Sequence, residues 1–220
     1  IEAFPNVPRA MGLGGSSALA VAVIRALSNH FKLDLSNERI NELAFECERA
    51  AHGTPSGVDN TIATYGSTLL FENKEAPSFQ EVRPAKSVSI AIGISGKESL
   101  TATTVARVRQ AWERQPERYE RIFDQIGDLT RAGTEALRDG AYQELGELMN
   151  LCHGYLNALQ VSTPELEELI HIARRRGAAG AKLTGGGGGG SVIALCPDGA
   201  EDVVDAMQNS GFEALAFDLV

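Results

Sequence analysis

Two short stretches hold residues whose types and spacing suit phosphate and cation chemistry. The first, Gly12-Leu13-Gly14-Gly15-Ser16-Ser17, runs directly into the apolar stretch Ala18–Ile24. Glycine has no Cβ, so such a turn reaches positive φ and lets its backbone approach a ligand closely. Amide N–H groups at the positive end of a helix dipole favour an anion, and phosphate is a common occupant. Ser16 and Ser17 fall where a helix N-cap is expected. A tight turn closed by a serine cap, with no ligand, is the plainer alternative for this loop alone. No Gly-Lys-Ser/Thr follows it, which excludes a Walker A loop.

The second stretch is Glu48-Arg49-Ala50-Ala51-His52-Gly53-Thr54-Pro55-Ser56-Gly57-Val58-Asp59-Asn60. It reads as a helix end followed by a turn built on Gly53, Pro55 and Gly57. Upstream, Ile40, Leu43, Ala44, Cys47 and Ala51 share one stripe at helical spacing, and Glu48 falls at its edge. A carboxylate there needs a partner, and a cation is a natural one; a boundary glutamate with its stem on the core is the plain alternative. Asp59 is expected within the glycine–proline turn, where aspartate most often forms an Asx hydrogen bond.

Helices are predicted over Ser16–Phe31 and Asn37–Ala51 (cap Ser36), then near Leu100–Trp112, Glu117–Asp139, Ala141–Leu159, Pro164–Arg176 and Gly199–Asn209. The Pro164 helix has Ser162 or Thr163 as cap and Gly177 beyond its end, the expected asymmetry. Strands are predicted at Ser67–Phe71, Val88–Ile94, Gly180–Thr184, Ser191–Cys196 and Glu213–Leu219, and Asn73–Ser78 is read as a loop. Pro77 and Pro84 bracket a boundary that separates residues 1–83 from 84–220. Strands at both ends of a helical block make the second region α+β.

The chain has 220 residues, 43% of them hydrophobic and 22% charged, as in ordinary globular proteins. A net charge of -9 argues against a nucleic-acid-binding surface, which needs a basic patch. No basic run points to an anionic membrane surface, and no apolar stretch approaches a membrane span. Cys47, Cys152 and Cys196 are too widely spaced for a disulfide framework or a metal cluster, and suit a reducing cytoplasm. The chain opens on Ile1 rather than Met, which suggests a piece of a longer polypeptide.

Taken in order, Gly-Leu-Gly-Gly-Ser-Ser-Ala, His-Gly-Thr-Pro-Ser-Gly-Val-Asp-Asn and Lys182-Leu183-Thr184-Gly185 with its glycine run resemble the GHMP small-molecule kinases. The middle segment is similar to the mevalonate kinase branch. The resemblance implies a two-lobe α+β fold, with a truncated ribosomal-protein-S5-like first lobe and a ferredoxin-like second lobe. It implies ATP and Mg²⁺ as cofactors and mevalonate as the small-molecule substrate. It places Gly12, Leu13, Gly14, Gly15, Ser16 and Ser17 around the ATP phosphates. Mg²⁺ falls to Glu48 and Ser16, with Ser17 as the alternative one residue along. Asp59 matches the family's catalytic base, and Thr101, ahead of Val105-Ala106-Arg107-Val108-Arg109, its active-site threonine.

The family sets the glycine run 185–190 beside the phosphates, whereas composition alone would read it as a linker. Lys182 is expected to be structural or on the surface, His52 to complement a helix end, and His153 and His171 to be packing or surface residues. Arg174-Arg175-Arg176 is expected to complement a helix C-terminus. Family members also carry a preceding segment that completes the first lobe and helps form the mevalonate pocket, so whether these residues turn over alone stays open. A cytoplasmic location and a homodimer are further expectations. The alternatives are another GHMP kinase acting on a related alcohol, or a non-catalytic nucleotide-binding fragment.

Overall fold

The computed structural model describes residues 2–4, 11–52, 55–73, 77–99 and 101–220. Gly53 and Thr54, which figured in the sequence motifs, and Leu100, the predicted start of a helix, lie outside the described residues, as does the His52 side chain. The chain divides into two compact units, one over residues 14–82 and one over 83–220 to which residues 11–13 also belong.

The first unit contains α1 (Gly15–Phe31), α2 (Asn37–His52), α3 (Val58–Tyr65) and a hairpin of β1 (Leu69–Glu72) with β2 (Ser78–Glu81). Val21 of α1 and Ile40 and Ala44 of α2 form its buried cluster, with Ala20, Ile24, Leu35 and Ala63 packed around it. Ser36 caps α2 as expected, its Oγ accepting from the Arg39 N–H at 3.4 Å.

Two expectations differ from the structure, and one strand was not foreseen. Helix α1 starts at Gly15 with Gly14 as its cap at φ 66, so Ser16 and Ser17 stand in the first turn and not at the cap. Residues 58–65 form a helix, which places Asp59 in its first turn instead of in a rigid turn. β2 was not predicted and begins at Ser78, the last residue of the predicted loop; its four residues are all exposed, and such a strand carries no alternation to read.

The second unit is built on an antiparallel sheet in the order β4 (Gly180–Thr184), β5 (Ser191–Cys196), β3 (Val88–Ile94), β6 (Glu213–Leu219). Between β3 and β4 run α4 (Thr101–Arg114), α5 (Pro116–Asp139), α6 (Tyr142–Ala158) and α7 (Pro164–Arg175), and α8 (Glu201–Asn209) joins β5 to β6. That order of strands and crossovers is ferredoxin-like, as expected. Alternation fixes which residues face which helices. Ala91, Ala181, Leu183, Val192 and Ala194 share a buried cluster with Leu166, Leu169 and Ile170 of α7 and Val203 and Met207 of α8. The opposite face, with Val88, Ile90 and Leu195, meets Tyr142, Leu145 and Met149 of α6.

Close approach rests on glycine at one place in particular. A Cβ on Gly180 of β4 would lie 2.0 Å from the Gly146 carbonyl oxygen of α6, so helix and strand meet backbone to backbone. No helix among the described residues is long and apolar enough to cross a membrane.

His153 on α6 is buried. Its Nε2 lies 3.0 Å from Glu167 Oε1 of α7, while Nδ1 is buried without a hydrogen-bond partner among the described residues. A neutral ring donating from Nε2 leaves Nδ1 as a bare acceptor, which costs less than a stranded N–H. Burial lowers the His153 pKa from its ordinary 6.5, with Arg174 and Lys182 acting the same way and the Glu167 carboxylate opposing them. The unfolded ring therefore takes up a proton at a pH where the folded ring does not, and folding stability falls as pH drops below 6.5. Urea unfolding of wild type and His153→Gln between neutral and mildly acid pH should show a steeper acid loss for wild type; parallel profiles would contradict it.

Candidate active site

The candidate residues of the first unit converge on the start of α1. Gly14 adopts φ 66 and ψ 22, a left-handed conformation that strains any residue with a Cβ. It turns the chain into α1 and directs the first-turn Ser16 side chain toward α2. There Ser16 Oγ donates to Glu48 Oε1 at 2.6 Å.

Glu48 is only 6% exposed. Its place differs from the expected edge of the stripe. Cys47 and Ala51 are exposed, and the buried line of α2 runs Ile40, Ala44, Glu48, each one turn after the last. The carboxyl group thus occupies a core position, where a polar side chain is costly without hydrogen-bonding partners. Ser17 is fully buried and its Oγ has no hydrogen-bond partner among the described residues. Of the two candidate serines, Ser16 is the one bonded to the carboxylate.

Asp59 arrives from α3. The cap Gly57 sits at φ 86, and Thr61 Oγ1 donates to its carbonyl at 2.7 Å. Buried Asn60 donates through Nδ2 to Asn41 Oδ1 of α2 at 2.6 Å. Arg25 of α1 donates to the Thr64 carbonyl at 2.8 Å. These bonds hold a helix that Val58, Thr61, Ile62 and Thr64 would not favour by propensity. The exposed Asp59 side chain faces the loop, so that a Cβ at Gly14 would stand 3.6 Å from its Cγ. Gly14, Ser16, Glu48 and Asp59 are therefore brought together. Their oxygen donors are hard, which suits a cation such as Mg²⁺ or Ca²⁺. No group of three or more His, Cys, Asp or Glu side chains placed to hold a metal occurs among the described residues.

In the second unit, the glycine run is a built loop and not a linker. Gly187 stands at φ 72 and a Cβ on it would lie 2.2 Å from the Val161 carbonyl oxygen. The Gly188 N–H donates to that same carbonyl at 2.8 Å, and the Gly190 N–H to the Lys97 carbonyl at 2.9 Å. Ser191 Oγ donates to the Met11 carbonyl at 2.7 Å, tying the residues ahead of Gly14 to this unit. Thr101 opens α4 with its methyl group against the loop: a Cβ on Gly186 would lie 2.6 Å from Thr101 Cγ2. Ser99 bonds both Thr101 and the loop, and sequence reasoning missed it; a serine two residues before a candidate site threonine carries no signal of its own. Asn41 and Asn60 were missed too, because a paired buried amide shows no periodicity. Lys182 is half-buried, its Nζ donating to the Leu183 carbonyl at 2.8 Å.

Residues 1–67 match the family model described as the GHMP kinases N terminal domain, and residues 134–213 the one described as GHMP kinases C terminal. A mevalonate kinase from Pyrococcus abyssi is 39% identical over 211 residues, which cover 94% of this chain and 62% of that protein. One from Methanothermobacter thermautotrophicus is 36% identical over 205 residues, covering 93% of this chain and 67% of that protein. The crystal structure of L. major mevalonate kinase in complex with R-mevalonate matches with a TM-score of 0.81 at 36% identity, covering 89% of this chain and 60% of that one. The chain thus spans about 62% of the length of the first curated relatives it matches.

The left-handed backbone at Gly14 gives a direct test. Gly14→Ala should lower the unfolding free energy by about 1–2 kcal/mol through the cost of a Cβ in that conformation. Urea unfolding with no measurable loss would contradict the strained turn.

Proposed function

This chain belongs to the GHMP kinase family, and we propose that the protein transfers the γ-phosphoryl group of ATP to the 5-hydroxyl of mevalonate, giving mevalonate 5-phosphate for isoprenoid biosynthesis. The observation that carries the reading is the meeting of Ser16, Glu48 and Asp59 around the Gly14 backbone. In this reading residues 1–83 are part of an ATP-binding domain and 84–220 the C-terminal domain of the family, in a cytoplasmic enzyme that forms a homodimer.

Phosphoryl transfer asks a protein mainly to position reactants and stabilise spreading charge. The backbone of Gly12–Ser17 would cradle the phosphates at the N-terminus of α1, where the helix dipole favours them. Ser16 Oγ and the Glu48 carboxylate are the donors that would hold Mg²⁺, an ion that takes few protein ligands besides substrate phosphates and water. When bound, Mg²⁺ supplies neutralisation of phosphate charge. Asp59 would take the proton of the attacking hydroxyl, and its exposed position leaves it accessible to substrate. Thr101 would contact the substrate.

General-base help of this kind is worth about 10²–10⁴-fold. Asp59→Ala should therefore lower kcat by about that factor while ATP affinity, followed by titration, changes little. Equal losses of turnover and of ATP affinity would count against the assignment. Phosphorylation of galactose, homoserine or mevalonate 5-phosphate in preference to mevalonate would move the protein to another branch of the family.

A further inference from the structure

We propose that Ser99 is a positioning residue that fixes the Thr101 hydroxyl as a hydrogen-bond acceptor, so that Thr101 recognises a hydroxyl of the substrate and not a phosphate or carboxylate oxygen. The proposal rests on the reading that Thr101 contacts substrate.

A serine or threonine hydroxyl has one proton to give and two lone pairs with which to accept. Ser99 Oγ lies 2.9 Å from the Gly187 carbonyl oxygen, which can only accept, so the Ser99 proton is committed to it. Ser99 Oγ also lies 2.9 Å from Thr101 Oγ1. With its own proton spent, Ser99 can only accept in that second bond, and the proton there must come from Thr101. Thr101 Oγ1 is left with lone pairs alone for any other partner.

The surroundings hold this arrangement in place. Gly187 cannot shift toward Val161, whose carbonyl oxygen would stand 2.2 Å from a Cβ on it, and Gly188 is bonded to the same carbonyl at 2.8 Å. The acceptor that orients Ser99 is therefore fixed. Thr101 cannot rotate freely because its methyl group is set against Gly186, while the residue as a whole is exposed and open to a ligand.

Ionised phosphate and carboxylate oxygens only accept hydrogen bonds at neutral pH, so they cannot pair with a Thr101 that only accepts. A hydroxyl can. Mevalonate carries two, and the 5-hydroxyl is the one that the proposed reaction consumes. The tertiary hydroxyl on C3 is the donor that remains for Thr101.

The test compares mevalonate with an analogue in which fluorine replaces the 3-hydroxyl, a substituent that cannot donate. It uses the full natural polypeptide as wild type, Ser99→Ala and Ser99→Thr. Wild type should prefer mevalonate in kcat/KM by about tenfold, the usual scale of one such bond. Ser99→Ala frees the Thr101 proton to turn toward fluorine and should shrink the preference severalfold. Ser99→Thr, which keeps a hydroxyl, should restore it. Inductive effects of fluorine are common to all three proteins and cancel in the comparison.

An absent preference in wild type, or a preference unchanged in Ser99→Ala, overturns the inference while leaving the proposed function standing. Failure of wild type to phosphorylate mevalonate overturns both.

Discussion

The first unit depends on keeping a carboxylate in its core. Glu48 stands where the packing line of α2 calls for an apolar side chain, one turn beyond Ala44. Burying an ionised carboxylate without partners costs several kcal/mol, enough to consume much of a small unit's stability. Ser16 is one of the partners that offset this cost, and it reaches Glu48 because Gly14 turns the chain immediately before α1. Loop conformation, helix start and buried acid are thus one constraint. The same constraint leaves hard oxygen donors beside a helix N-terminus, where the helix dipole favours negative charge.

The second unit is governed by the space that side chains would take. Its glycine run would be an entropic liability as a free linker, yet Cβ atoms at Gly186, Gly187 and Gly189 would each overlap a neighbouring residue. The loop is bonded through its amides to Val161 and Lys97, and its Gly187 carbonyl accepts from Ser99. Gly180 and Gly146 do the same for α6 and β4 at the other end of the strand. Polar orientation at the loop follows from close backbone packing.

Where local pattern and tertiary packing agreed, the elements could be read from the residues. β3 alternates and is β-branched, and the α7 cap Thr163 accepts from the Leu166 N–H as its position implied. Disagreements have physical causes. α3 combines poor helix formers with a start set by Gly57, and only its bonds to Asn41 and Arg25 reveal why it holds. β2 is exposed on every residue and stands because it pairs with β1, where Phe71 faces Phe79. Glu48 was misplaced by a few tens of degrees around α2, because a stripe drawn through Cys47 and Ala51 competes with one drawn through Glu48. The residues of the candidate site were legible as motifs; their contacts were not. The motif ranks Ser16 ahead of Ser17 by position alone; the bond to Glu48 is a contact that the residue order does not show.

In the proposed function, the Ser16, Glu48 and Asp59 cluster of the first unit serves phosphoryl transfer to mevalonate. The most direct measurement is ADP release by the full natural polypeptide with Mg-ATP, with and without mevalonate, paired with identification of the phosphorylated product. The account predicts release that depends on mevalonate and yields mevalonate 5-phosphate. Release that ignores mevalonate, or that appears only with another alcohol, would contradict it.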